Sequence, residues 1–247
     1  MLLNHRLAVV VNIPYAQVLM CPSNRFGAGL EAAGGHTILD DICNVGIGTA
    51  SCMNPPTLPL EGVDEVCGDG LDNDCNPDTF CVSINAGNES IPVQPVAKNV
   101  NPATFYKAAS STGTDYAASN SLNLLVSENA DKETAIHIIL DKPEDGDGGN
   151  LTLQLTGAKG LDIVVYDDVP EDGSDSYIFD TNTGAGTLSW AWGACCVDGT
   201  VLAPLSVNQC ILLEPKASDG IANIRVWQDA SSQKTLPMVP VELCGTL

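Results

Sequence analysis

Basic side chains are scarce in this chain. Lys and Arg number 10 against 31 Asp and Glu, a formal net charge of −21 over 247 residues. Binding a polyanion requires a basic surface that displaces condensed counterions, so DNA and RNA are excluded as partners on charge grounds. An anionic membrane surface is disfavoured for the same reason. Histidine is nearly absent: His5, His36 and His137 lie far apart, and none falls in the H-x₃₋₅-H spacing of a zinc site. Aromatic residues make up only 5%. No apolar run approaches the length of a membrane span. The five apolar residues 7–11 are too few for the core of a secretory signal, and Asn12 and Pro14 interrupt them, so the start reads as a processed or incompletely defined N-terminus. H-E-x-x-H, P-loop, G-x-G-x-x-G and G-x-S-x-G patterns are all missing. Among 31 acids, no carboxylate pair is singled out for glycoside hydrolysis. An enzymatic role is therefore not expected.

What the chain does contain is cysteine, glycine and proline: 10, 23 and 15 residues. An even cysteine count in a turn-rich, acidic chain fits a disulfide framework formed in an oxidising, extracellular compartment. Zinc is disfavoured, because no C-x-x-C pair occurs. The cysteines form two groups, with none between residues 82 and 194. Cys21, Cys43, Cys52, Cys67, Cys75 and Cys81 lie in the first third; Cys195, Cys196, Cys210 and Cys244 lie in the last quarter. Pairing within each group gives three bridges and two, with the connectivity open. Cys195 and Cys196 are adjacent and are expected to bond to different partners rather than to each other.

Hydrophobic residues reach 44%, enough for a core. Residues 1–20 contain an apolar, β-branched run at 6–20, which reads as an extended N-terminal strand with Pro14 marking an edge or a bend. Such a strand either begins the adjoining domain or completes a neighbouring subunit as a donor strand. Residues 21–83 form a Cys-rich region, and 84–103 read as a linker entering a first strand. Over 104–247, short β-like runs recur between Gly, Asp and Asn turns: 121–128, 134–142, 150–157, 161–168, 177–180, 186–193, 209–216, 221–229 and 238–244. Several alternate with period two; Leu151, Leu153 and Leu155 face one way and Thr152, Gln154 and Thr156 the other. The expected fold is all-β, an antiparallel β-sandwich of immunoglobulin-like or jelly-roll-like type, preceded by a disulfide-rich, loop-rich metal-binding segment. No long amphipathic helix competes.

The most specific pattern lies in the Cys-rich region. From residue 26 to 97 there is no Lys or Arg, while eleven acids accumulate. Such a segment repels itself unless bridges and cations hold it. Asp69, Asp72, Asp74, Asn76 and Asp78 supply closely spaced oxygens, which is the ligand chemistry of calcium, a cation that takes six to eight oxygens in flexible geometry. Cys67, Cys75 and Cys81 bracket the loop. It is not an EF-hand, because counting from Asp72 the glycine position is Pro77 and the bidentate glutamate position is Ser83. The stretch E-x-C-G-D-G-x-D-N-D-C at 65–75 resembles the MopE-type metal-binding motif of bacterial secreted and surface proteins. The resemblance covers residues 65–81, and Asn76-Pro77 stands where that motif usually has Asp-Gly. It implies a bacterial extracellular protein that binds a divalent cation. Calcium suits these ligands better than copper, which prefers imidazole or sulfur.

Weaker signals are Trp190 and Trp192, two apart on one strand face with Leu188. They read first as core and second as an exposed platform for a sugar ring. Asp162, Asp167, Asp168, Glu171, Asp172, Asp175 and Asp180 form a second acidic run, either a solvated loop or a second calcium site. Residues 144–150 read as a turn. The expected role is an extracellular, calcium-stabilised structural or adhesive protein that self-associates at the cell surface, as a subunit of a surface layer, fibre or pilus-like filament. The alternatives are a carbohydrate-binding module using Trp190, Trp192 or Trp227, and a metal-scavenging surface protein.

An ion bound only by the native state stabilises it by mass action. A calcium chelator is thus expected to lower the melting temperature of the wild-type chain, and Asp72→Ala or Asp74→Ala to lower calcium affinity and melting temperature together. A melting temperature indifferent to chelator would overturn the calcium assignment.

Overall fold

The computed structural model describes Cys67 and residues 81–111, 116–167 and 175–246, together with the strand backbone at 10–13 and 16–19. The chain divides into two compact units, residues 1–79 and 80–247. In the first, β1 (Val10–Ile13) and β2 (Ala16–Leu19) pair antiparallel, with Ile13 opposite Ala16. The apolar run is thus two strands, not one, and the two pair with each other.

The second unit is a β-sandwich. Its strands are β3 (Cys81–Ala86), β4 (Glu89–Val93), β5 (Ser121–Glu128), β6 (Thr134–Leu140), β7 (Gly149–Thr156), β8 (Asp162–Tyr166) and β9 (Ser176–Asp180). They continue with β10 (Ala185–Trp192), β11 (Asp198–Leu205), β12 (Cys210–Asp219), β13 (Asn223–Trp227), β14 (Gln233–Pro237) and β15 (Val241–Thr246). One sheet has seven strands in the order β4-β3-β15-β12-β7-β10-β9; the other has six in the order β14-β13-β5-β6-β11-β8. All pairings are antiparallel except β13 with β5, which is parallel.

Period-two alternation sets the inner faces. Ile84, Leu151, Leu153, Leu155, Leu188, Ile211 and Leu243 from the larger sheet meet Leu122, Leu124, Ile136, Ile138, Leu202 and Ile224 from the smaller, all within 1% of full burial. Each such side chain contributes roughly 1.5–3 kcal/mol on leaving water. The nine expected runs all contain strands. Residues 84–103 hold the second half of β3 and all of β4, which are sheet members rather than a connecting segment.

The middle strands of the smaller sheet, β5, β6 and β11, are buried on both faces. The sheet's outer face carries Leu125, Ala135, Ile139, Val201 and Trp227, and these pack with Val96, Tyr106 and Ala117 in a second core. The cover is residues 94–101 and a helix, α1 (Pro102–Ser111). The strap at 96–100 bonds along the end of β5: Val96 N–H donates to Val126 O at 2.9 Å and Glu128 N–H to Ala97 O at 2.9 Å. The helix starts on Asn101, whose Oδ1 accepts from Thr104 N at 3.1 Å, with Pro102 in the first helical position. That is a favoured N-cap followed by the residue whose missing N–H costs least there. No helix among the described residues is long and apolar enough to cross a membrane.

All described cysteines are disulfide-bonded, Cys67 and Cys81 included. The last four bond among themselves, as expected, but not in the expected pattern. Cys195 bonds to its neighbour Cys196, and Cys210 to Cys244. The expectation of separate partners assumed an extended backbone, in which adjacent side chains point apart. Here the pair sits in a turn between β10 and β11, closed by Cys196 N–H donating to Gly193 O at 3.0 Å, and the turn brings both sulfurs to one side. Cys210 and Cys244 lie directly opposite on β12 and β15.

Asn101→Ala removes the helix cap. It is expected to lower the unfolding free energy by about 1 kcal/mol in urea titration, with Asn101→Asp close to wild type. An alanine variant as stable as wild type would show that the cap contributes nothing to holding the cover.

Candidate functional site

The five proposed metal ligands, Asp69, Asp72, Asp74, Asn76 and Asp78, lie outside the described residues, as do Cys21, Cys43, Cys52 and Cys75. Among the described residues, one group of His, Cys, Asp or Glu brings three ligand atoms within 4.8 Å of one another: Cys210, Glu242 and Cys244. Its two cysteines are bonded to each other, so they offer no thiolate to a metal.

The tryptophans are core residues. Trp190 is 2% exposed and Trp192 6%, and Trp227 is buried beneath the outer cover. None presents an open ring face, so the platform reading does not hold for this fold. Burial obliges each indole N–H to find an acceptor. Trp190 Nε1 donates to Tyr177 Oη at 3.0 Å and to Gly199 O at 3.1 Å. Trp192 Nε1 donates to Asp141 Oδ2 at 2.9 Å. Trp227 Nε1 donates to Tyr116 O at 3.2 Å. Asp141 also accepts from Asn120 N at 2.7 Å, and burial pushes its carboxyl above the usual range.

The second acidic run resolves into two kinds of residue. Asp162 and Asp180 are exposed, and Asp180 Oδ1 accepts from Asn182 N at 2.9 Å in the turn after β9. Asp167 and Asp175 face inward. Tyr106 Oη on α1 donates to Asp167 Oδ2 at 2.6 Å. Tyr177 Oη lies 3.2 Å from Asp175 Oδ2, 2.9 Å from Asp167 O and 3.1 Å from Gly199 O. Asp175 Oδ1 accepts from Ala191 N at 3.2 Å. Burial, followed by the neighbouring Asp167, holds the Tyr106 phenol well above its ordinary pKa, and burial with Asp175 does the same for Tyr177. Both phenols stay protonated: Tyr106 donates to the Asp167 carboxylate, and the single Tyr177 proton is shared among Asp167 O, Gly199 O and Asp175 Oδ2. Asp168, Glu171 and Asp172 lie outside the described residues. Of residues 144–150, the first five form the expected turn, with Asp145 Oδ1 accepting from Asp147 N at 3.1 Å, and Gly149 and Asn150 already belong to β7.

A serine–histidine pair does occur. Ser127 Oγ lies 2.7 Å from His137 Nε2. Both residues are fully buried on the outer face of the smaller sheet, the Phe105 ring meets His137 edge-on at 5.1 Å, and His137 Nδ1 has no partner. A working base needs an orienting partner and access to substrate, and this pair has neither, so it serves as packing. Alternation alone would place His137 of T-A-I-H-I-I-L on a solvent face. The signal of its burial was the continuous apolar run, which belongs to a strand covered on both sides.

No family model matches the chain, and no curated protein or solved structure matches it.

Burial lowers the His137 pKa from 6.5 to about 3. Between those values the unfolded chain binds more protons than the folded one, so stability falls as pH falls, by up to about 1.4 kcal/mol per pH unit. Urea unfolding of wild type and His137→Asn, compared between about pH 6.5 and 4.5, should show wild type losing roughly 2–3 kcal/mol more than the variant. Parallel pH profiles would mean that His137 charges without cost.

Proposed function

We propose that this chain is a structural subunit of an extracellular assembly, built from a disulfide-bonded β-sandwich that associates through one end and is stabilised by calcium at the acidic loop. The observation that carries the reading is the unequal treatment of the two ends of the sandwich. At one end the edge strands are β4 and β14. Lys234 of β14 pairs with Glu89 of β4 across the two sheets, Pro92 lies in β4, and Pro237 closes β14. Charge and proline are the usual guards against edge-to-edge pairing. At the other end the edges are β8 and β9. Neither contains Lys, Arg or Pro, their charges are confined to Asp162 and Asp180 at one end of each strand, and they carry the large exposed hydrophobics Val164, Tyr166 and Ile178, which are 43%, 48% and 69% exposed. The Tyr166 and Tyr177 rings meet at 5.2 Å, which keeps β8 and β9 together.

An unguarded edge strand with apolar side chains is a template for another strand. Two copies of Ser176-Tyr177-Ile178-Phe179-Asp180 laid antiparallel about Ile178 set Tyr177 opposite Phe179 and Ser176 opposite Asp180, a self-complementary register that suits a two-fold contact. An extracellular location is supported by the bridges, since disulfides persist in oxidising compartments. Calcium would offset part of the −21 charge that opposes association of like chains. The carbohydrate-binding reading loses its platform with the three indoles buried.

Sedimentation velocity over a range of protein concentrations, with and without calcium, tests the proposal. Wild type is expected to shift to larger species as concentration rises, and Ile178→Lys to remain monomeric with an unchanged circular dichroism spectrum. A wild-type chain that stays monomeric throughout would overturn it.

A further inference from the structure

The two bridges of the second unit differ in what they can do. Cys210–Cys244 closes a sequence separation of 34 between paired strands; its Cys210 is exposed, but Cys244 is 6% exposed, so one sulfur of the bond is shielded. Cys195–Cys196 closes a separation of 1, and both residues are exposed in the turn that carries the chain from the larger sheet to the smaller. The restraint that a bridge places on the unfolded chain grows with the loop it closes, so a bond between neighbours does little to hold the fold. What it does is present an S–S bond to solvent.

We propose that Cys195–Cys196 is an exchange site for small thiols. A thiolate attacks one exposed sulfur, the S–S bond breaks, and the other cysteine leaves as thiolate and takes up a proton. A second thiolate attacks the mixed disulfide, releasing the oxidised small thiol and freeing the second cysteine. Overall, two thiols and the bridge give two cysteine thiols and one small-molecule disulfide. The released thiolate stays beside the mixed disulfide, so reclosure competes with the second step. The open form therefore persists when thiol is in excess or when one ligand takes both sulfurs. A trivalent arsenical does this: an aryl arsenoxide condenses with the two thiols, forming two As–S bonds and releasing water.

The surroundings select among thiols. The loop at 142–148 lies against the turn, with Glu144 N–H donating to Cys195 O at 3.4 Å. It carries Glu144, Asp145 and Asp147 against Lys142, three negative charges to one positive, on a chain of net charge −21. An anionic thiol is repelled and a cationic one attracted, and salt screens both effects.

The test uses the native full-length protein. It is incubated at low salt with cysteamine or with mercaptoethanesulfonate at matched thiolate concentration, then quenched with iodoacetamide. Cleavage before Asp198 separates Cys195 and Cys196 from Cys210 for peptide mass mapping. Cys195 and Cys196 are expected to take label about ten-fold or more faster than Cys210 and Cys244. Cysteamine is expected to outpace the sulfonate, and high salt to narrow that gap. Phenylarsine oxide is expected to form a retained adduct on the reduced wild type and none on Cys196→Ser. Labelling of Cys210 and Cys244 first, or together with the neighbours, would overturn the site. Equal rates for the two thiols at low salt would overturn the charge preference, and an adduct of equal yield on Cys196→Ser would overturn the dithiol clamp.

Discussion

The sandwich depends on how it satisfies two buried indole N–H groups. Trp190 and Trp192 both belong to β10 in the seven-stranded sheet, and both reach acceptors at the other layer: Gly199 O at the start of β11 and Asp141 just past the end of β6. A buried donor without a partner costs about 1–3 kcal/mol, and for Trp192, which donates to Asp141, that cost is avoided only if the sheets meet in one register. Apolar packing between sheets is tolerant of small slides, whereas these bonds are not. Tyr177 extends the same arrangement, accepting from Trp190 while its hydroxyl reaches the β8–β9 connection at Asp167 O. Gly199 has a steric reason to be glycine, because a Cβ there would lie 2.0 Å from Ile138 O. A side chain at 199 would push β11 from β6 and carry the Trp190 acceptor away with it.

Covering the outer face of the smaller sheet adds a second constraint. Ser127, His137 and Asn123 lie there fully buried, and their polar atoms are only partly satisfied: Asn123 donates to Ser121 O and Ile139 O at 3.1 Å each, while its Oδ1 has no partner. The cover is held by backbone bonds at 96–100, by the α1 cap, and by the Tyr106–Asp167 bond that ties helix to β8. It thus relies on a few directional contacts together with the modest apolar patch around Leu125, Ile139, Val201 and Trp227.

The strands that could be read from sequence were those with continuous apolar or alternating patterns, such as L-T-L-Q-L at 151–155. Those that were missed carry residues that usually break strands. β11 contains Gly199 and Pro204. The glycine serves close approach, and the proline falls where the register with β6 shifts between Leu202 and Leu205. β14, Gln233–Pro237, is polar because it is an edge strand. The helix had a readable start in Asn101-Pro102, but its ten residues lack acids in the first turn and bases in the last. At the candidate sites, the core role of Trp190 and Trp192 followed from residue type and spacing. The bond between Cys195 and Cys196 did not, because it depends on a turn geometry that neighbouring residue types leave open.

The strand order of the larger sheet has a consequence for when the fold can form. β15 lies between β3 and β12, so its two neighbours are drawn from opposite ends of the unit, Cys81 pairing with Thr246 and Cys210 with Cys244. Until β15 is in place, β4 with β3 and β12 with β7, β10 and β9 are separate pieces with facing open edges. During synthesis the middle of this sheet is therefore the last part to exist. The larger sheet can close only once residues 241–246 are available to pair with both neighbours, so its two halves depend on the last strand to become one.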